Sequence, residues 1–213
     1  MDNRERGFTL IEILVAMGLF AAISVSFYQV LFSASAGSDR ARDVVRVSEG
    51  ARLGFNRMVR DTREAAEIAA PTDTSYQIDI DFNGNGTIEP SPSAITGNYE
   101  RLTFAFNAGA GTVTVTVGGT TENLMTGVEC IPKAGGGCQP VFRYGSNRLE
   151  YDVNSDGVTD AAELIAAPVI SNGNAVLDGQ ELNFVDTVRF ALRVRNNDSI
   201  ETFYAEAQMR NQR

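Results

Sequence analysis

Two short stretches of this chain place oxygen-bearing side chains at alternate positions: "DFNGNGTIE" and "DVNSDGVTDAAE". Aligned, Asp81, Asn83, Asn85, Gly86, Thr87 and Glu89 match Asp152, Asn154, Asp156, Gly157, Val158 and Asp160. Oxygen ligands at positions one, three and five, then glycine, then a main-chain carbonyl at seven, describe a loop that wraps Ca²⁺. Those carbonyls belong to Thr87 and Val158. Alternate residues face one side of the curled backbone, and glycine permits the sharp turn. In the second stretch Glu163 falls at position twelve, where a bidentate carboxylate belongs; Thr159 stands at position eight, where a β-branched aliphatic residue is commoner. The first stretch has Pro92 at position twelve and lacks that ligand, with Asp79 as the candidate replacement. A third stretch, "NGNAVLDGQE", is a weaker match. The competing reading is an Asx-rich turn that binds nothing, because Asn and Asp favour such turns on their own account. A bound Ca²⁺ would be structural, holding loops rigid in a small sheet domain.

Other chemistry is sparse. The chain has 213 residues and no His, which removes imidazole bases and most zinc, copper and non-haem iron sites. There is no nucleophile elbow and no phosphate loop; "GAGTVTVTVGG" brackets a strand and does not open a helix. Carboxylate pairs capable of glycoside hydrolysis gain little support, since the acids sit mainly in turn-like runs. The expectation is therefore a non-enzymatic protein. The formal net charge is −9 and the pI about 4.6, so nucleic acid is a poor partner for the whole chain. Cys130 and Cys138, in "CIPKAGGGC", would form a disulfide across a hairpin tip or surface loop in an oxidising compartment. The alternative is two unrelated thiols; two Cys without His or further Cys make a poor zinc shell.

Residues 8–32, "FTLIEILVAMGLFAAISVSFYQVLF", are long and apolar enough to span a bilayer. Arg4 and Arg6 precede them, which places the N-terminus in the cytoplasm. A plain signal anchor would look similar, and "SASAG" at 33–37 offers a secretory cleavage site. Glu12 argues against both, because a carboxylate inside a membrane helix costs a few kcal/mol and tends to face a partner.

The stretch "RGFTLIEILVAM" closely resembles the class III signal of type IV pilins and type II secretion pseudopilins. The resemblance implies that a membrane peptidase cuts between Gly7 and Phe8 and methylates the new Phe8 amine, while the apolar helix is kept. Cleavage leaves a cationic amine at the head of an apolar helix, and a buried charge needs a partner. When subunits stack, Glu12 of one can neutralise the Phe8 amine of its neighbour. Major pilins of this family carry a helix-kinking proline near the twenty-second mature position. Here that residue is Gln29, and residues 8–70 hold no proline, which favours a minor pilin or pseudopilin. "ARLGFNRMVRDTREA", "FRYGSNRLEYDVNSDG" and "AQMRN" also resemble, each weakly, the minor pilin group that includes the J-type pseudopilins.

The elements that must position these residues follow from periodicity. Val44, Val47, Ala51, Phe55, Met58, Thr62 and Ala65 recur at spacings of three and four, an apolar stripe on a helix that Pro71 should end. Beyond it, "YQIDI", "YERLTFAF", "TVTVTV", "PVFRY", "RLEYDV", "VDTVRFALRV" and "ETFYAEAQM" read as short strands, the last two joined through "RNNDS". The expected fold is α+β: a long N-terminal helix, transmembrane in its first half, packed on an antiparallel β-sheet headgroup. The expected organisation is a cleaved leader over 1–7, a transmembrane and assembly helix over 8–35, its amphipathic half over 36–70, and a β-rich headgroup over 71–213.

The resemblance implies a subunit inserted once in the bacterial inner membrane with its N-terminus cytoplasmic, then built into a periplasmic or extracellular fibre. Its partners would be prepilin peptidase, other pilins or pseudopilins through the N-terminal helix, and the inner-membrane assembly platform. Position in the tip or priming complex of a type IV pilus or a type II secretion pseudopilus is the leading expectation. The alternative is a membrane-tethered calcium-binding or adhesive module that never enters a fibre.

Overall fold

A computed structural model of the chain describes residues 9–89, 100–196 and 199–210. The fold is α+β, a long N-terminal helix followed by antiparallel sheets. Helix α1 runs Leu10–Glu64, 55 residues without proline. The chain divides into two compact units, residues 1–45 and 46–213.

In the first unit, Leu10–Ser35 is a single helical stretch long and apolar enough to cross a membrane, with none of it buried. Its large side chains are open on every side, from Leu10 and Ile11 to Leu31 and Phe32. A helix apolar all round has no water-facing stripe, which suits lipid or other helices as its surroundings.

Among the described residues the second unit holds the rest of α1 and ten strands. Strands β1 (Glu67–Ala69), β2 (Ser75–Asp79), β3 (Arg101–Asn107), β4 (Thr112–Val117) and β5 (Thr120–Thr126) form one sheet in that order. The second sheet is built from β6 (Val128–Glu129), β7 (Phe142–Ser146), β8 (Thr159–Asp160), β9 (Thr187–Asn196) and β10 (Ser199–Gln208). Its order is β10-β9-β7-β8, with β6 also paired to β9. Every pairing is antiparallel. A short helix α2 (Ala161–Ala166) and a 3-10 turn (Glu181–Phe184) lie between β8 and β9.

Period-two patterning decides which faces meet. Tyr76, Ile78, Leu102, Phe104, Val113 and Val115 from the first sheet are buried with Phe142, Val188, Phe190 and Leu192 from the second. Tyr76 joins the layers: its ring lies 5.3 Å from Phe104, 4.8 Å from Phe142 and 6.2 Å from Phe190. Its hydroxyl is 2.8 Å from Thr62 Oγ1 on α1. Burial pushes the Tyr76 phenol pKa far up, so it stays neutral as a hydrogen-bonding group. The helix stripe closes the core through Ala51, Phe55, Met58, Thr62 and Ala65, all buried. The side chains of Val44 and Val47 lie outside those described. Phe55 sits 6.1 Å from Phe190 and 5.3 Å from Phe203, across the second sheet.

Three expectations need correction. The helix ends at Glu64 and does not run on to 70, because residues 67–69 are captured as an edge strand on β2. The Ala66 N–H already donates to the Asp79 carbonyl at 2.8 Å, so the sheet begins to claim the backbone before Pro71 is reached. "RLEYDV" is not a strand: residues 148–153 lead into a loop, with Leu149 and Tyr151 turned onto the core. The apolar alternation there reflects anchoring of a loop, a pattern that period two alone cannot separate from a strand. The described strands also form two sheets where one was expected, with Tyr76 of the first packed on Phe142 and Phe190 of the second. Of the "RNNDS" turn, Asn197 and Asp198 lie outside the described residues, while Asn196 pairs with Ser199 across the hairpin.

Candidate functional site: an N-terminal helix and three Asx loops

Gly7 and Phe8, the expected cleavage and methylation residues, lie outside the described residues. Glu12 is in the first turn of α1, with its side chain exposed. Its own N–H donates to the Thr9 carbonyl at 3.1 Å and to Thr9 Oγ1 at 3.3 Å, so Thr9 caps the helix start. A carboxylate in the first turn also suits the positive end of the helix dipole. Leu10, Ile11, Ile13 and Leu14 surround it with exposed apolar surface. Glu12 is thus a lone acid in the apolar stretch Leu10–Ser35.

The two sequence-read loops share one geometry. In the second, the Asp152 carboxylate accepts from the N–H groups of Asp156 at 3.1 Å and Gly157 at 2.7 Å. Asn154 Oδ1 accepts from Asp156 N–H at 2.8 Å, and Asp156 Oδ1 from Val158 N–H at 2.9 Å. In the first, Asp81 accepts from Asn85 and Gly86 N–H at 3.1 and 2.8 Å. Asn83 Oδ1 accepts from Asn85 N–H at 2.8 Å, and Asn85 Oδ1 from Thr87 N–H at 2.7 Å. Positions four and six are left-handed in both, at Gly84 and Gly86 and at Ser155 and Gly157. That double reversal curls the backbone so that alternate side chains converge.

A buried glutamate closes each curl. Glu163 Oε1 accepts from Val153 and Asn154 N–H at 2.7 and 3.2 Å, and Oε2 from Asp160 N–H at 3.1 Å. Asp160 in turn caps α2, accepting from Ala162 and Glu163 N–H, so positions nine and twelve form a capping box. In the first loop the same role falls to Glu100, which is fully buried. Its Oε1 accepts from Asn83 N–H at 3.4 Å and its Oε2 from Glu89 N–H at 2.9 Å. Asp79, the expected replacement, is held instead by Arg101 at 2.6 and 2.7 Å.

The third stretch repeats the pattern with Glu181, also fully buried. Its Oε1 accepts from Asn172 N–H at 3.0 Å and its Oε2 from Asp178 N–H at 3.1 Å. Asn172 and Asn174 accept from the N–H groups of Asn174 and Val176. Gly173 and Ala175 take the two left-handed positions. The residue at position one is Ile170, so this loop lacks the first carboxylate.

Glu181 was present in the quoted third stretch and needed only the spacing from Asn172 to match that from Asn154 to Glu163. Glu100 was not findable by spacing, because it follows Asn83 by 17 residues where Glu163 follows Asn154 by 9. Among the described residues no set of three or more Cys, Asp or Glu side chains gathers as a ligand cluster. Much of each loop's oxygen set comes from Asn side chains and from the backbone.

Cys130 and Cys138 are joined by a disulfide, with Cα atoms 5.5 Å apart. Pro132 and Cys138 form an isolated antiparallel bridge, and the intervening residues are a small exposed hairpin tip.

The fold and these features describe an α+β chain with an apolar N-terminal helix of membrane-spanning length. Residues 2–28 match a family model described as the prokaryotic N-terminal methylation motif. That match supports a precursor of the type IV pilin or pseudopilin type and implies processing by prepilin peptidase and assembly with other pilins. It fits a membrane-anchored precursor, and it covers the leader and most of the apolar stretch, not the sheets. No solved structure matches the chain.

Proposed function

We propose that this protein is a non-enzymatic minor pilin or pseudopilin, cut between Gly7 and Phe8 and built into the tip or priming complex of an envelope fibre. The fibre is a type IV pilus or a type II secretion pseudopilus. The observation that carries this reading is Glu12: a single carboxylate in an apolar, unburied helix, five residues beyond Gly7 of the methylation motif. Alone in a membrane it is costly; opposite the Phe8 amine of a neighbouring subunit it is neutralised and sets the register of stacking. The absence of proline from α1 supports a minor subunit over a fibre's main one.

Glu12→Ala tests the mechanism. The variant should be cleaved normally, as judged by N-terminal sequencing, yet be at least about tenfold depleted from sheared fibres, the loss of a charge pair worth over 1.4 kcal/mol. Full incorporation of the variant would refute the role of Glu12.

The three loops favour a second property of the same subunit, structural Ca²⁺ binding in the headgroup. In the second loop Asp152, Asn154, Asp156, the Val158 carbonyl, Asp160 and Glu163 supply only oxygen, which suits a hard cation. In the first, Asp81, Asn83, Asn85, the Thr87 carbonyl and Glu89 do so, with Glu100 in place of the missing twelfth ligand. The ion would draw together side-chain oxygens that now accept from backbone N–H groups. If the protein stays in the membrane fraction when fibres are sheared, the tethered calcium-binding module becomes the better reading.

A further inference from the structure

Strands β6 and β7 behave as one strand interrupted by an excursion. On β9 the Arg195 and Ala191 N–H groups donate to the Gly127 and Val141 carbonyls at 2.8 and 3.0 Å, so both segments lie along the same edge. Glu129 faces Arg193, and Phe142 faces Phe190. Between those pairs β9 advances from Arg193 only to Phe190, while the facing chain runs from Glu129 to Phe142. The excess is looped out as a hairpin, and the Cys130–Cys138 disulfide closes its neck. Among the described residues the hairpin's internal backbone bonds are Lys133 N–H to Gly137, Gly136 N–H to Lys133 and Gln139 N–H to Ile131. Residues 132–138 are exposed, so the hairpin has no core of its own. Its tip holds Gly135, Gly136 and Gly137 at left-handed φ of 96°, 99° and 84°, and glycine loses the most backbone freedom on ordering.

The hairpin sits against the seam of the two sheets. Cys130, Pro132 and Gly137 line a cleft of about 300 Å³ together with Val128 of β6 and Phe106 of β3. Strand β6 has two residues. Val128 is buried and donates to the Gly111 carbonyl, in the β3–β4 turn, at 2.9 Å. Glu129 pairs with Arg193 and Arg195 at 2.8 and 2.6 Å, and such partly exposed pairs hold little by themselves. We propose that the disulfide is a redox-operated strap: reduced by a dithiol, it frees the hairpin, lifts Val128 and Glu129 from β9 and opens the cleft, while both sheets stay folded. Cys138 is exposed and Cys130 is half-buried against the core, so attack falls on Cys138 Sγ. One thiolate of the reductant bonds to Cys138 and displaces Cys130 as a thiolate. The second thiolate attacks the reductant's own sulfur in that mixed disulfide and displaces Cys138. The reductant leaves as a disulfide, having given up two electrons, and the protons lost by its thiols end on Cys130 and Cys138. The sheets survive because the packed rings of Tyr76, Phe104, Phe142 and Phe190 include no hairpin residue. The inference rests on the headgroup alone and not on the fibre reading.

Lys133 is the only lysine in the chain, so lysyl endopeptidase can cut only at the hairpin tip. With the full chain in non-ionic detergent, dithiothreitol should raise the rate of cleavage at Lys133 at least tenfold, because a protease acts on the opened chain. Amide hydrogen exchange at Val128 and Arg195 should quicken at least tenfold, while exchange at Phe190 and Leu192 should not change. Reoxidation with oxidised glutathione should restore both rates. The double variant C130S/C138S should match the reduced protein and ignore dithiothreitol; if it does not fold, the reduced wild type decides alone. Faster cleavage with unchanged exchange at Val128 and Arg195 would overturn the proposal and leave the disulfide as a staple of the hairpin alone. So would equal cleavage rates in the two redox states. Loss of protection at Phe190 and Leu192 would also overturn it, making the disulfide a support of the whole headgroup.

Discussion

Glu100 accepts from two N–H groups of its loop and Glu163 from three, and both are almost entirely shielded from water. For Glu100 the donors are Asn83 and Glu89, at positions three and nine of the first loop. A buried carboxylate accepts from backbone donors with both oxygens, and an amide in its place leaves one of those donors poorly matched. Glu100→Gln keeps the shape but turns an amide N–H₂ toward one of those donors. It should destabilise the headgroup by about 1.5–3 kcal/mol, measured by urea unfolding. A cost under about 0.5 kcal/mol would show that the clamp contributes little. Glu12 is the opposite case at this scale: its side chain is exposed, and the role proposed for it depends on a second subunit. Its Glu12→Ala outcome, normal cleavage with poor incorporation, separates the two kinds of acid.

Helix α1 meets the sheets through close backbone approach at one point and charge at another. A Cβ on Gly54 would collide with the Leu124 carbonyl oxygen and lie 2.8 Å from Met125 Cγ, on β5. Gly50, one turn earlier, has open space around it. Alanine gains up to about 1 kcal/mol in helix propensity at either position. At Gly54 overpacking of about 1–3 kcal/mol outweighs that gain, so Gly54→Ala should lower the melting temperature while Gly50→Ala should raise it. The second tie is Glu201 of β10, which accepts from Ser48 Oγ and from Arg52 at 2.6 and 3.0 Å. The hydrogen bonds from Ser48 and then Arg52 hold its carboxyl pKa below the ordinary value. A depressed folded pKa means that the contribution is complete above the unfolded value of about 4.3 and fades as pH falls through the folded one. Glu201→Gln should therefore melt lower than wild type at pH 6, and the difference should shrink as pH falls below the ordinary carboxylate range. A gap that persists at low pH would mean that packing, not ionisation, is the source.

For the molecule as a whole, the loops have the largest consequence, because they lie between elements that form the core. The second loop runs from the end of β7 into β8 and α2, and the first joins β2 to β3. Calcium at about a hundred times its dissociation constant would add about 2.7 kcal/mol per site. For a chain of this size, EGTA should then lower the melting temperature on the order of 5–10 °C per occupied loop. No change in EGTA would leave the loops as Asx turns closed by their own glutamates.

Local chemistry made much of this legible in advance. Apolar runs and alternation identified α1, β2, β3, β4, β7, β9 and β10, since a helix stripe and a pleated strand each impose a period on the sequence. "RGFTLIEILVAM" and the Asx spacing of 81–89 and 152–163 were readable because their residues are contiguous. Partners far apart in the chain were not. Glu100 reaches the first loop from the far side of an insertion, and "RLEYDV" has a strand's alternation but anchors a loop. The split into two sheets came only from strand pairing. The sequence determined by itself the membrane-length helix, its odd carboxylate and the α+β class, because each depends on neighbours within a few residues. Tertiary structure alone decided that Glu100 closes the first loop and that the strands divide into two sheets, because both depend on pairing between segments distant in the chain.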